Sequence, residues 1–434
     1  MKKSDFSRLP SDAPDYPVWH PFTQHFNEKR LPKITGATDE FLLLESGEQL
    51  IDAISSWWTV NHGHGNKVIS SFIKKQTDDF AQVMFSGFTH QPALDLAKNL
   101  LEIIPYPHHK VFFSDNGSTA LEVGLKIALQ FHFNRGSKRT RFIAFENAYH
   151  GDTFGSMSVS GEDTFTLPFS DLLFSVSRIP VPTPGNEEKS FAALSKVITA
   201  YPDQIAGFIF EPLVLGSGGM IMYEPEPLRK LIATCRSSEI VIISDEVMTG
   251  FGRTGKIFAG SYFEGMADVA CFSKGLTGGF IPLGLTTATG EIFSAFLSEE
   301  RKRMFLHGHS FSGNPIGCAA ALGNLEVFKS GKSLKNIKRV SEFMMEFCGE
   351  LEKTEGALNP RCLGTILAFE VNDPGADYFS DMRNRIYDFF MERGVFIRPL
   401  GNVIYLLPPY CISDKSLEKI RRAVLDFLIS LRES

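Results

Sequence analysis

The chain repeats one unit several times: a short apolar run, a polar turn, then a stretch with helical spacing. The runs cover residues 110–113, 141–145, 205–210, 240–244 and 269–273. Between them lie segments such as 118–133 and 226–236, where apolar residues recur three and four apart. Several runs lack polar alternation, as expected of strands buried on both faces of a mostly parallel sheet. The pattern predicts an α/β fold, with a mostly parallel central sheet flanked by helices. Helical spacing also covers 66–80 and 91–103. Past about residue 330 the character changes. Two long amphipathic helices, near 333–352 and 416–431, bracket short strands such as 365–371 and 403–407. These predict a smaller α+β domain built from both chain ends. Residues 1–65 read as irregular and as joining that small domain. The expected division is 1–65, a large domain at 66–330, and 331–434.

Composition narrows the class. Of 434 residues, 43% are hydrophobic and 22% charged, and the net charge is −6. A protein that binds nucleic acid or a membrane surface would carry a basic excess, so neither partner is expected. Cys235, Cys271, Cys318, Cys348, Cys362 and Cys411 form no metal pair and no C-x-x-C motif. They read as buried small side chains in a reducing compartment. The N-terminal Met-Lys-Lys has no apolar run behind it, and no run approaches the ~20 residues of a membrane span. A cytoplasmic protein is expected.

Open α/β sheets bind ligands beyond the carboxyl ends of their strands. Three such ends carry chemistry. After the first run come Ser114-Asp115-Asn116-Gly117-Ser118-Thr119, then a helix. A tight turn at Gly117 would point N–H groups near Ser118 and Thr119 at an anion such as a phosphate. The same residues also suit an ordinary helix cap. Asp245 ends the fourth run, where burial demands a positive partner. Lys274 follows the fifth, and burial there would lower its pKa and make a Schiff-base amine. Alone, each is equally a structural acid or a loop lysine. Together they are the three anchors of pyridoxal phosphate: phosphate site, acid for the ring nitrogen, and lysine. Tyr149-His150-Gly151-Asp152, after the second run, adds an aromatic side chain that could stack on a flat ring.

Two other motifs compete. Gly250-Phe251-Gly252-Arg253-Thr254-Gly255 matches G-x-G-x-x-G, the basis for a dinucleotide-dependent oxidoreductase as a rival reading. It does not open a helix after the first strand, and Ile257 stands where a phosphate loop needs a hydroxyl. His62-Gly63-His64 and His307-Gly308-His309 lack a Cys/His partner set, so no metal is expected. A cap or a backbone hydrogen bond is their expected role.

The set Tyr149-His150-Gly151, Ser244-Asp245-Glu246-Val247, Gly250–Gly255, Ser273-Lys274-Gly275 and Gly313-Asn314-Pro315 resembles the class III aminotransferases. These are pyridoxal 5'-phosphate enzymes of fold type I. Trp19-His20-Pro21-Phe22-Thr23, Ser55-Ser56-Trp57-Trp58 and Arg398-Pro399-Leu400-Gly401 further resemble the biotin-synthesis branch, the diaminopelargonic acid synthases. The resemblance runs from about Trp19 to Tyr410. It implies transamination of 8-amino-7-oxononanoate to 7,8-diaminononanoate, with S-adenosyl-L-methionine as the amino donor of most relatives and lysine as that of some; no residue of the sequence decides between them. It implies that Lys274 carries the cofactor, Asp245 holds its ring nitrogen, and Gly117, Ser118 and His150 help bind it. Tyr149 would lie over the ring and meet substrate. It also implies a homodimer in which Gly308, His309 and Ser310 reach the partner's site.

Trp57, Gly308 and Arg398 match substrate-contacting positions. Phe22, Trp57 and Trp58 could wall an aliphatic acceptor whose carboxylate Arg398 holds. Phe22 stands where relatives place Tyr, Ser310 where they place Thr, and His309 where they often place Pro. Another class III enzyme, an ω-amino-acid or amine transaminase or an aminomutase, is the alternative that shares these anchors.

Overall fold

The apolar runs pair into one seven-stranded sheet. The structure, a computed structural model, describes residues 10, 12, 13, 15–26, 31–373, 378 and 380–432. The basic N-terminus at residues 1–9 lies outside them. The strand order is His108–Ser114, Gly284–Thr289, Val269–Phe272, Val241–Asp245, Ile205–Phe210, Arg141–Phe145, Val176–Ile179. Gly284–Thr289 runs antiparallel to both neighbours, and the other pairs are parallel. Ile205–Phe210 and Val241–Asp245 are buried at every position, which is why their sequence shows no alternation. Two strands escape the sequence pattern. Gly284–Thr289 is rich in Thr, and Val176–Ile179 holds Ser and Arg, so neither reads as an apolar run.

Helix Gly117–Asn134 packs against the sheet. Most of its residues are buried, and an Asn116–Thr119 capping box starts it. Helix Gln91–Ile103 starts at His90, whose ring accepts the Ala93 N–H. Both helices lie within a residue or two of their expected bounds, as do Lys67–Asp79 and Pro225–Arg236. Helix Glu187–Ala200 was not expected.

The expectation that 1–65 is irregular is corrected. Ile34–Thr38, Phe41–Leu44 and Gln49–Asp52 form an antiparallel set, and Val395–Phe396 adds in parallel to the last. Strands of four or five residues are too short for a period to register against the Pro, Gly and aromatic residues around them.

The C-terminal third holds a separate sheet, Leu358–Leu363, Ile366–Glu370 and Val403–Leu406. Helices Lys332–Leu351 and Asp414–Arg432 pack on it, with a further helix, Asp381–Glu392, that was not expected. Its core joins Phe347, Phe369, Phe390 and Phe427 to Ile51 and Ala53 from the other chain end. Four cysteines are buried, but Cys362 and Cys411 are half-buried, which corrects the expectation for those two. Among the described residues no helix is long and apolar enough to cross a membrane.

Candidate active site

Register brings the chemistry together. Asp245 pairs with Cys271 on the neighbouring strand, so Lys274 follows only three residues beyond. Glu211 directly follows its own strand. One cavity of about 420 Å³ is lined by Asn116, Gly117, Ser118, Tyr149, His150, Glu211, Asp245, Lys274 and Trp58, among others. Every one but Trp58 lies at or beyond the carboxyl end of a main-sheet strand. A second cavity of about 310 Å³ shares Asn116, Gly117 and Lys274.

Two glycines matter through close approach. Gly117 is the first helical residue and has no left-handed φ, so the expected tight turn is corrected. A Cβ there would sit 2.9 Å from the Val247 side chain. Asn116 Oδ1 takes the Thr119 N–H, which leaves the N–H groups of Gly117 and Ser118 for an anion. Gly151 has φ +127°, and a Cβ on it would overlap the Ser118 hydroxyl. Asp152 N–H donates to that hydroxyl at 3.2 Å, and Glu122 accepts from Thr153 and Ser156. The loop bearing Tyr149 is thus tied to the anion-binding turn.

The charges are set by burial. Asp245 is 4% exposed. One of its oxygens meets His150 Nδ1 at 2.7 Å, and the other accepts the Val247 N–H at 3.0 Å. His150 Nε2 is buried without a partner among the described residues. The Lys274 amine lies 4.4 Å from the centre of the Trp58 ring. Burial lowers its pKa to about 8, against the raising effect of Asp245 and Glu211. Burial raises Glu211 to about 7, although its carboxylate accepts the Tyr149 and Gly216 N–H groups at 2.9 Å each. Burial, followed by Asp152, pushes the Tyr149 phenol well above its usual range.

Trp58 donates its indole N–H to Tyr405. Ser55, Ser56 and Trp58 all adopt left-handed backbone, strain that tertiary contacts must hold. Beside the cavity the Arg398 guanidinium lies 5.0 Å from the Trp57 ring centre and donates to the Phe22 carbonyl. The Phe22 ring meets Trp57 and Phe165 edge-on, each at 5.6 Å. Phe22, Trp57 and Arg398 therefore form one cluster, next to the cavity rather than in its lining. Gly308, His309 and Ser310 do not line either cavity of this chain.

The competing motifs have other occupations. Arg253 is 1% exposed and donates to the carbonyls of Pro408 and Trp58, so the 250–255 loop fastens the C-terminal segment. The short turn Ala259–Tyr262 follows it, not the helix that a dinucleotide loop opens. The expected role of the His-Gly-His pairs is corrected for three rings. His62 meets Ser333, His64 meets Asp52 at 2.9 Å, and His307 accepts from Lys126. Only His309 meets a backbone N–H, that of Phe311.

A family model described as aminotransferase class III matches residues 24–428. The chain belongs to the class III aminotransferases. The adenosylmethionine-8-amino-7-oxononanoate aminotransferase of Synechococcus elongatus is 41% identical to it over 96% of this chain and 99% of that one. The crystal structure of the enzyme of that name from Methanocaldococcus jannaschii superposes with a TM-score of 0.90 at 33% identity, covering 95% and 97% of the two chains. An amine transaminase from an uncultivated Pseudomonas species, in PLP-bound form, gives 0.88 at 28% identity over 94% and 97%.

The residues of this aminotransferase fit pyridoxal 5'-phosphate. A helix start with two available N–H groups, a buried carboxylate and a half-buried lysine amine border one cavity of suitable size. Sequence reasoning passed over Glu211 as a site residue, though an acid directly after a fully buried strand is the same signal that marked Asp245. It also passed over Val247 and Met248, whose apolar side chains carry no chemical flag.

Proposed function

We propose that this aminotransferase uses pyridoxal 5'-phosphate to move an amino group from S-adenosyl-L-methionine to 8-amino-7-oxononanoate, giving the 7,8-diaminononanoate of biotin synthesis. The observation that carries the reading is the desolvated Lys274 amine in one cavity with Asp245 and the Gly117–Ser118 helix start. When bound, the cofactor supplies an electron-accepting ring.

The protein supplies the rest. Asp245, held by His150 and the Val247 N–H, would be the partner of the cofactor's ring nitrogen. Lys274 Nζ, with its pKa lowered to about 8, is partly neutral near pH 7 and takes and returns protons. The Gly117 and Ser118 N–H groups would hold the phosphate, and Tyr149, with His150 beside it in the lining, would offer its aromatic face to the ring. Phe22, Trp57 and Trp58 offer an apolar wall to the acceptor chain and an aromatic surface to a sulfonium donor. Arg398 Nε has no partner among the described residues, which leaves that edge of the guanidinium for the acceptor carboxylate.

The working unit is a homodimer. Its Gly308, His309 and Ser310 complete the partner's phosphate site, and the exposed Met84, Phe88, Met304, Leu306 and Phe311 suit burial against a second copy. The chain divides at about 65 and 330, a division that the core shared by both chain ends supports. The protein is cytoplasmic, acts on small molecules, and engages neither nucleic acid nor membrane.

The test is a donor and acceptor panel on purified holoenzyme. Diamine formation from the keto acid, exceeding turnover of pyruvate with simple amines, is expected. The reverse preference would assign the alternative amine or ω-amino-acid transaminase activity. Borohydride should bleach the yellow protein and fix the cofactor to Lys274.

A further inference from the structure

Lys274 sits in a strained position. Its φ is +43°, in the left-handed region that a side chain rarely adopts. Such a conformation persists only where the surroundings over-determine it. The short 3-10 turn Lys274–Thr277 follows. Two asparagines from distant parts of the chain grip this turn. Asn324, on helix Pro315–Lys329, donates its amide to the carbonyls of Gly275 at 2.9 Å and Leu276 at 3.1 Å. Asn61, from the N-terminal segment, donates to the Gly275 carbonyl at 3.4 Å. The Asn61 carbonyl in turn accepts the Tyr410 N–H, which fastens it to the C-terminal segment.

Both side chains are fully buried. The Asn61 Oδ1 has no partner among the described residues, whereas the Asn324 side chain also pairs with the His62 ring. An apolar side chain could fill the Asn61 place without burying an unpaired oxygen, so there the amide is explained by what its N–H groups hold. Asn324 ties the turn to the His62 ring as well. The two amides fix the Gly275–Leu276 and Leu276–Thr277 peptides, one and two peptides beyond the pair that flanks the Lys274 Cα, and so hold the turn from which its side chain projects. We propose that Asn61 and Asn324 are positioning residues for the Lys274 amine, acting through the carbonyls of the turn it begins. The proposal rests on the reading of Lys274 as the cofactor-binding lysine.

The experiment compares wild-type holoenzyme with Asn324→Leu and Asn61→Leu. It reads the pH midpoint of the visible absorbance band, kcat, KM and thermal midpoint. In Asn324→Leu the absorbance midpoint should move by about half a pH unit or more. Its kcat should fall about tenfold or more, with KM for both substrates changed less than about threefold. Asn61→Leu, losing one long bond, should show the smaller change. Asn324→Ser keeps a donor with shorter reach and should fall between wild type and Asn324→Leu. If both Leu variants keep the wild-type absorbance midpoint and kcat, whatever their thermal midpoint, the proposal is overturned. Should Asn324→Leu not fold, an unaltered midpoint and kcat in Asn324→Ser overturn it equally. A wild-type protein that borohydride does not label at Lys274 would remove the functional reading itself. Labelled wild type with unaltered asparagine variants would remove only this inference.

Discussion

At the floor of the cavity, Asp245, Glu211 and Lys274 stand at strand ends of one sheet, the two acids buried and the lysine half-buried. Beside it, Phe22, Trp57 and Arg398 come together from segments up to 376 residues apart, and Phe22 and Trp57 remain 42% and 39% exposed. The floor is built from backbone donors and desolvated charge, which are hard to vary without loss. The outer wall is built from aromatic edges and one cation, which can change one at a time. Chemistry shared across a family belongs on the first, and choice of substrate on the second.

That contrast can be broken at its strongest point. Lys274→Ala should lower kcat about 10⁴-fold, read as diamine formation. Residual activity within tenfold of wild type would place the chemistry elsewhere. Arg398→Met should raise KM for the keto acid roughly tenfold to a hundredfold, the value of a charged hydrogen-bond pair, and leave kcat near wild type. An acceptor without the carboxylate should show no such change. An equal loss with both acceptors would mean that the outer wall serves chemistry as well.

Glu211 sharpens the contrast through pH. Burial raises its pKa from 4.5 to about 7, so the folded protein resists its ionisation. The unfolded chain then releases this proton first. Its contribution to stability is therefore present below about pH 4.5 and is lost as pH rises to about 7. In cofactor-free protein, Glu211→Gln should remove that part of the fall, seen as a thermal midpoint raised by about 2 °C or more at pH 7.5 relative to pH 4.5. No change would mean that the carboxylate is solvated. The smallest effect expected is that of Phe22→Tyr. Its ring edge packs on Trp57 and Phe165, so kcat/KM should stay within about threefold of wild type. A larger change would show that the wall uses a polar contact at this position.

The strands that reach full burial were readable because continuous apolar runs admit few alternatives. Asp245 and Lys274 were readable because a charge at the end of such a run needs a reason. Glu211 met the same condition, an acid directly after a fully buried strand, and carried the same signal. The strands of the N-terminal segment were hidden by their brevity. The Asn61–Asn324 grip had no signal at all, since neither asparagine stands in a motif.

The sequence by itself determined the alternation of strand and helix, and the residues that follow the buried runs, because burial and periodicity act over a few neighbouring residues. Only the tertiary structure decided which strands lie side by side. It also decided that His150 faces Asp245, that Trp58 floors Lys274, and that Arg398 meets Phe22. Those pairings depend on distances between segments far apart in the chain, and no local preference encodes a distance.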